Sequence, residues 1–501
     1  MSVLTPEKVV VRTPPRGRRR RPGAGLLGAV VLALAGIAAL PWEWSFIDDT
    51  ALLGHLHRNQ AAHGSLVGVL TTIRGAAAWD VTDWGLFRPA YWVYQGVFYL
   101  LPVGPAHAAR VGMLGLAVAG PVVALLRQVR AAPGTRVAVA AWASIALLAN
   151  GPLWTGLWYP SLQELSGAAC VGLGLLAGVR RPWWLVTCWA LAAWFKAPLA
   201  WLLVAFGVSV LLRTTFGRAT PSAASSADGP SGGSSADGPS GGEPSGRRIT
   251  AAAAAAGLLG LGTLAAAAVL AGQGSYASGY LDDAGPYRLA ANVSVLAGAA
   301  GAPALVLLAG FVLLGVAARA PGVADPVPLV LLAGGAGYAA TLLPWGVGGY
   351  YAGPPVYLVT AGVLLLVTPG GAVPVRRLVG GVVVAGLLAG VLVASPVSDG
   401  VRSVVNTVQL RDCVARLPVT ASVGFDAAEG AIRLEQIVRE RRPGWRGTIA
   451  RVAPGQPRGW RQGRVITHFD YYIQTGRRRV AAPLDGPVVC RAALAVVRRV
   501  P

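Results

Sequence analysis

Charged side chains are scarce in this chain. Asp, Glu, Lys and Arg make up 13% of its 501 residues, whereas soluble proteins carry about 25%. Hydrophobic residues reach 54%. A soluble chain of this length could not bury so much apolar surface around one core, but each span of a bilayer takes about 20 mostly apolar residues. The composition therefore excludes an ordinary soluble protein and predicts an α-helical polytopic membrane protein.

Cysteines are also few, with four in the whole chain. Cys170 and Cys188 fall in apolar stretches, where a thiol acts as a small packing residue. Cys413 and Cys490 fall near the two ends of the C-terminal region. This placement predicts a disulfide and an oxidising compartment, with two unpaired buried thiols as the alternative.

Acidic residues are outnumbered by basic ones, 21 against 43, which gives a net charge of +22. The basic residues cluster in terminal regions and loops, so we expect membrane lipids rather than nucleic acid as partners. The sequence also lacks a Walker-type phosphate loop, so ATP-driven work is not expected. The basic run Arg12–Arg21 precedes the first apolar stretch and predicts a cytoplasmic anchor, with a cleaved signal peptide as the alternative.

Twelve apolar stretches follow one another along the chain. They lie at 24–41, 88–102, 106–126, 137–152, 165–179, 182–195, 197–212, 249–272, 292–317, 328–343, 356–369 and 378–396. Basic loops mark the cytoplasmic connections. These loops are consistent with each other if 88–102 is a shallow or re-entrant helix. The pattern then predicts about eleven transmembrane helices, a cytoplasmic N-terminus and an extracytoplasmic C-terminus.

The chain divides into five predicted parts. They are a basic cytoplasmic N-terminus (1–23), an N-terminal transmembrane module (24–212), a disordered Gly/Ser/Pro cytoplasmic linker (213–248), a second transmembrane module (249–396) and a small basic extracytoplasmic α+β domain (397–501). The linker repeats one nine-residue sequence and is too polar to order itself. The last part alternates apolar and polar residues over 464–473 and has helical spacing over 427–439, which predicts strands and a helix.

Two adjacent carboxylates follow the first apolar stretch. Asp48 and Asp49 close the segment Trp42–Asp49, which is rich in aromatic residues. A low local dielectric raises the pKa of a carboxylate, so such a pair suits a general base or a cation site. Solvated loop acids, or N-cap residues of a following helix, are the alternative.

Three further motifs follow in order. Asp80–Tyr91 contains Phe87-Arg88-Pro89, Trp154–Glu164 ends in Gln-Glu at the start of an apolar stretch, and Phe195–Pro198 reads Phe-Lys-Ala-Pro. Together with the acidic pair, this order resembles the GT-C superfamily over roughly residues 25–215. These membrane-embedded glycosyltransferases include protein O-mannosyltransferases and bacterial aminoarabinose and arabinan transferases.

The resemblance implies a reaction and a set of roles. A sugar would pass from a polyprenyl-phosphate donor to an acceptor hydroxyl, usually with inversion, and Asp48 or Asp49, with a slight preference for Asp48, would be the base. Arg88 and Lys196 would offset the charge of the lipid phosphate, and Glu164 would orient a hydroxyl. Interfacial snorkelling explains Arg88 and Lys196 equally well, and a helix-terminal acid explains Glu164 equally well.

Two weaker features complete the set of candidates. Tyr350 and Tyr351 lie on a loop where aromatic rings could stack on a sugar, although interfacial anchoring is the simpler interpretation. His55 and His57 could join the acidic pair in a divalent metal site, but residues two apart on a helix point to different faces. No cofactor is therefore predicted with certainty, and no metal ligands are assigned.

The sequence leaves two other functions open. A transporter or flippase for a lipid-linked or small polar substrate is one, and a non-catalytic envelope scaffold built on the basic C-terminal domain is the other. The sugar remains open, and the acceptor could be a glycan, a lipid or a protein.

Overall fold

The computed structural model describes the chain in segments. The described residues are 35–40, 42, 44, 48–129, 131–178, 181–216, 243–274, 286–313, 316–318, 326–344, 349–369, 375–425, 430–452, 459–461, 464–475 and 486–500. The predicted N-terminal part (1–23), most of the first apolar stretch and the core of the Gly/Ser/Pro linker lie outside them.

Helices make up most of the described chain. They are α1 Asp48–His63, α2 Ser65–Trp79, α3 Pro89–Val97, α4 Val103–Gln128, α5 Pro133–Leu148, α6 Gly151–Trp158, α7 Glu164–Ala177, α8 Pro182–Phe195, α9 Trp201–Phe216, α10 Glu243–Ala271, α11 Pro286–Leu313, α12 Val327–Leu342, α13 Gly353–Leu365, α14 Val375–Ala415 and α15 Gly430–Arg441. Short 3-10 turns occur at Phe98–Leu100, Ala197–Ala200 and Gly349–Ala352, and a π-helical turn at Asp80–Trp84.

Close helix packing depends on small residues. α4 lies against α7, where Gly120 and Gly172 meet so tightly that a Cβ on Gly120 would overlap the Gly172 backbone. Small residues let helix backbones approach in this way in membrane proteins. α9 pairs with α10, and α12 pairs with α13. Two short strands, β1 Val316–Ala318 and β2 Val367–Pro369, pair antiparallel beside this bundle.

The predicted count of eleven spans is wrong for the described residues. Five helical stretches are long and apolar enough to cross a membrane: Val103–Gln128, Ala197–Thr215, Arg247–Ala271, Arg288–Leu313 and Val379–Val414. A sixth results if α5 and α6, which bend by 67° at their junction, form one span. The apolar composition predicted more spans because composition alone does not show where a helix ends or bends.

Breaks shorten the remaining apolar stretches. α7 has 14 residues and is therefore about 21 Å long, against about 30 Å of hydrocarbon. It ends at Gly178, whose φ of 67° stops a helix. The run 88–102 forms the nine-residue α3 and one 3-10 turn before Pro102. A nine-residue helix is about 14 Å long, shorter than the hydrocarbon core, and the shallow or re-entrant placement of this run stays a prediction.

The C-terminal region forms a seven-stranded sheet, as the α+β prediction requires. Its strands are β3 Ser422–Phe425, β4 Thr448–Val452, β5 Gly459–Arg461, β6 Arg464–Ile466, β7 Tyr471–Thr475, β8 Val488–Arg491 and β9 Ala495–Arg499, in the order β6-β5-β4-β3-β7-β9-β8. β3 runs parallel to β4 and β7, and the other neighbouring pairs are antiparallel. α15 connects β3 to β4, and its buried side chains Leu434 and Val438 pack into the core of this domain.

The boundary of this domain differs from the predicted one. α14 continues through Pro396, where the prediction changed domain, and runs to Ala415. The second hydrophobic core begins at Leu410 on that helix. Cys413 and Cys490 are disulfide-bonded, with 6.3 Å between their Cα atoms, which confirms the predicted pairing. The bond ties the end of α14 to strand β8.

Candidate functional site

Asp49 lies near the start of α1 and is completely buried. Its Oδ1 accepts a hydrogen bond from the Tyr99 hydroxyl at 2.5 Å and another from the backbone N–H of Ser161 at 2.7 Å. Both hydrogen bonds favour the charged carboxylate. Asp49 is therefore not a solvated loop acid. The side chain of Asp48 lies outside the described part of the structure.

Tyr99 joins this acid to a cluster of aromatic rings. Its ring stacks on Trp44, with centroids 5.0 Å apart, and lies edge-on to Tyr94 at 6.1 Å. Burial, followed by the Asp49 charge, raises the pKa of Tyr99 well above its ordinary value. The hydroxyl therefore stays protonated at neutral pH and remains a donor to Asp49.

Arg88 pairs with Asp80, a residue that no sequence argument selected. The guanidinium donates from Nε to Oδ2 at 3.0 Å and from Nη2 to Oδ1 at 2.5 Å, and Trp92 Nε1 also donates to Oδ2, at 2.6 Å. Gly85 makes this fold-back possible, because the turn requires its φ of 67°. Burial opposes the charge of Arg88, but Asp80, together with Tyr91 and Tyr351, more than offsets it and the pKa of Arg88 is raised.

Lys196 and Glu164 form a second buried ion pair. Glu164 opens α7 as predicted, Lys196 follows α8, and Nζ lies 2.8 Å from Oε1. The two side chains are 13% and 1% exposed, so Lys196 does not snorkel. At this distance the pair is a close ionic contact within the interior.

Tyr351 interacts with both cations. The Lys196 ammonium sits 4.0 Å from the centroid of the Tyr351 ring, and the Tyr351 hydroxyl also acts electrostatically on Arg88. Tyr350 stands beside it, with ring centroids 4.4 Å apart. Asp49 connects to these residues through Tyr99, which also interacts electrostatically with Tyr91, and Arg88 lies 4.7 Å from the centroid of the Tyr91 ring. The predicted residues with described side chains thus belong to one connected region: Asp49, Arg88, Glu164, Lys196, Tyr350 and Tyr351.

Arg110 is a buried cation that the sequence argument missed. It is fully buried on α4, and within the described part of the chain its acceptors are all neutral: the Tyr94 hydroxyl at 3.3 Å, Ser166 Oγ at 3.1 Å, Met113 Sδ at 3.7 Å, the carbonyl of Leu162 at 3.3 Å and the carbonyl of Gly156. An arginine inside the apolar run 106–126 was the available signal, because ionisable residues within spans are usually functional.

His55 and His57, both on α1, do not converge. His55 Nδ1 lies 3.2 Å from Arg58 Nη2 and its ring lies against Trp79, whereas His57 lines a cavity on another side of α1. Burial, then the Arg58 charge, lowers the pKa of His55. Among the described residues, no group of three His, Cys, Asp or Glu side chains has metal-site geometry.

The fold and the buried charges define a class rather than a particular protein. The long apolar helices are those of a helical membrane protein, and a small mixed sheet follows them. Comparison with protein-family models, with curated proteins and with solved structures gives no match for this chain. The function therefore has to be argued from the site itself.

Proposed function

We propose that the chain is an integral membrane glycosyltransferase that moves a sugar from a polyprenyl-phosphate donor to an acceptor hydroxyl at the outer membrane face. The observation that carries this proposal is the burial of Asp49 among hydrogen-bond donors. Two buried cations from separate motifs connect to it through tyrosines: Arg88 lies over the Tyr91 ring, and Lys196 follows Phe195, whose ring lies against Tyr94. An acid and two cations in one connected region suit a reaction that removes a proton from one substrate and releases phosphate from the other.

Asp49 acts as the general base in this mechanism. Tyr99 and Ser161 hold one carboxylate oxygen in place, so the base keeps its orientation. The acceptor oxygen attacks the anomeric carbon, its proton passes to Asp49, and the bond from that carbon to the phosphate oxygen breaks with its electron pair. A single displacement of this kind inverts the anomeric centre.

Arg88 and Lys196 act on the phosphate that leaves. Each already has one carboxylate partner, which keeps it charged and oriented before the substrate binds. The Arg88 fork suits two phosphate oxygens, and Lys196 contributes a point charge. Tyr351, next to both cations, and its neighbour Tyr350 offer ring faces on which a sugar can stack.

Replacing Asp49 tests the proposal. We expect Asp49→Asn to lower the rate of sugar transfer in a membrane assay by about 100-fold or more, because positioned general bases contribute roughly that much. Asp83→Asn is the matched control, since Asp83 is an exposed acid of the same outer segment, and its rate should stay within a factor of two. Full activity of Asp49→Asn at normal expression would refute the assignment.

Arg110 supports a second candidate, a transporter or flippase. A buried arginine on a spanning helix is typical of a transport pathway. A proteoliposome assay with a lipid-linked sugar and no acceptor separates the two. Flux that Arg110→Gln abolishes, without any sugar transfer, would favour the transporter.

A further inference from the structure

A cavity of about 440 Å³ lies where Trp44, α1 and the segment Tyr99–Val103 meet the C-terminal domain. One wall carries Trp44, Leu53 and His57, and the 3-10 turn with the start of α4 forms the floor. The C-terminal domain contributes Arg411 on α14 and Ile437 and Arg441 on α15 to the lining. The cavity exists only because the C-terminal domain packs against α1.

Positive charge concentrates on one side of this cavity. Arg411 Nε donates to Asp412 Oδ1 at 2.9 Å, and Arg416 and Arg441 also act electrostatically on that carboxylate. Arg411 and Arg441 both line the cavity, so two guanidinium groups are available on this side of it. An arginine fork is well suited to phosphate oxygens.

The remaining lining is apolar. Leu100, Leu101, Pro102 and Val103 form the floor, and Leu53 and Ile437 lie on the walls. A fully hydrated anion would gain nothing from such a surface, whereas an alkyl or similar stem attached to the anion would be removed from water there. The two kinds of lining together select an amphiphile with an anionic head.

We propose that this cavity binds the phosphate group of an amphiphilic molecule, with the phosphate at Arg411 and Arg441 and its apolar stem on Leu100–Val103. Tyr99 lines the cavity and donates its hydroxyl to Asp49, so the bound molecule lies one side chain away from the proposed base. On the proposed function, this molecule is the acceptor of the sugar, since the donor phosphate belongs at Arg88 and Lys196.

Direct binding tests the inference without any transfer reaction. The full-length protein in neutral phosphatidylcholine nanodiscs is titrated with hexyl phosphate, inorganic phosphate and hexanol in separate calorimetric experiments. We expect hexyl phosphate to bind at least tenfold more tightly than inorganic phosphate or hexanol, because the phosphate charge and the alkyl stem each contribute to binding. Inorganic phosphate binding as tightly as hexyl phosphate would overturn the role of the apolar floor, and absence of binding by hexyl phosphate would overturn the site.

Variants locate the binding within the structure. Arg441→Gln should weaken hexyl phosphate binding about tenfold, the usual effect of losing one charge-assisted hydrogen bond. Arg446→Gln is the matched control, because Arg446 is exposed in the same domain but does not line the cavity. Equal weakening by both variants would show general charge attraction and overturn the proposal.

Two further variants keep the result independent of folding and of the proposed function. Leu101→Trp should block the floor and weaken binding even if Arg441→Gln fails to fold. Asp49→Asn should bind hexyl phosphate as the parent does, since it leaves the lining unchanged. Binding without transfer activity in the parent protein would then refute the glycosyltransferase alone, and transfer without binding would refute the cavity alone.

Discussion

At the scale of single residues, charge burial distinguishes the candidates from ordinary loop residues. Asp49, Glu164 and Arg110 are each at most 1% exposed, although an isolated buried charge is among the most costly features a protein can contain. Asp49 and Glu164 were selected from the sequence by motif. Arg110 and Asp80 were not, since neither stood out within a motif of known role.

The Lys196–Glu164 pair leads to a prediction on stability. Lys196→Gln would leave the buried Glu164 without its counter-ion, which costs about 3–5 kcal/mol. Arg439→Gln is the matched control, because Arg439 pairs with Glu435 but is 47% exposed, and exposed pairs contribute about 1 kcal/mol or less. Denaturation in detergent, monitored as the loss of folded protein, measures the stability cost of both variants. A cost for Lys196→Gln as small as that for Arg439→Gln would contradict the buried pair.

At the scale of elements, the contact between α4 and α7 decides how closely the bundle packs. Gly120 and Gly172 face each other across it without space for a methyl group. Gly112 also lies on α4, but a Cβ added there would meet no other atom within 4 Å. Gly112 and Gly120 therefore look alike in the sequence and differ only in the packed structure.

A pair of alanine substitutions tests this contact. Gly120→Ala should lower stability by about 1–3 kcal/mol, the usual cost of overpacking. Gly112→Ala should be neutral or slightly stabilising, because alanine favours a helix over glycine by up to about 1 kcal/mol. Melting temperatures in one detergent compare the two directly. Equal melting temperatures would show that α4 and α7 are not in close contact.

At the scale of the whole molecule, the orientation in the membrane remains a prediction. Basic loops place α1 and the C-terminal domain outside and the linker inside. Cysteines introduced at exposed His57 and Arg446, and at Ser231 in the linker, test it in a chain where Cys170 and Cys188 are alanine. A membrane-impermeant thiol reagent should label the first two in intact cells and spare the third. Labelling of Ser231→Cys with protection of the others would reverse the predicted orientation. A cysteine introduced at Ser161 would be labelled poorly on either side of the membrane, because the side chain at this position is buried.

The sequence by itself determined the class of the protein and the types of residue at its site. Low charge and long apolar runs require helices in a bilayer, and the positions of Cys413 and Cys490 predicted their bond. Composition could not count the spans, because breaks such as the 67° bend between α5 and α6 depend on packing as well as on local sequence.

Only the tertiary structure decided which side chains meet. Asp49 binds Ser161, 112 residues away, and Glu164 pairs with Lys196 across a helix hairpin. The cavity requires Arg411 and Arg441 to face Tyr99 from another domain. Such pairings have no local signature, because burial makes an ion pair or hydrogen bond necessary without specifying its partner. The partner depends on which helices pack together, and a motif in one loop does not specify that packing.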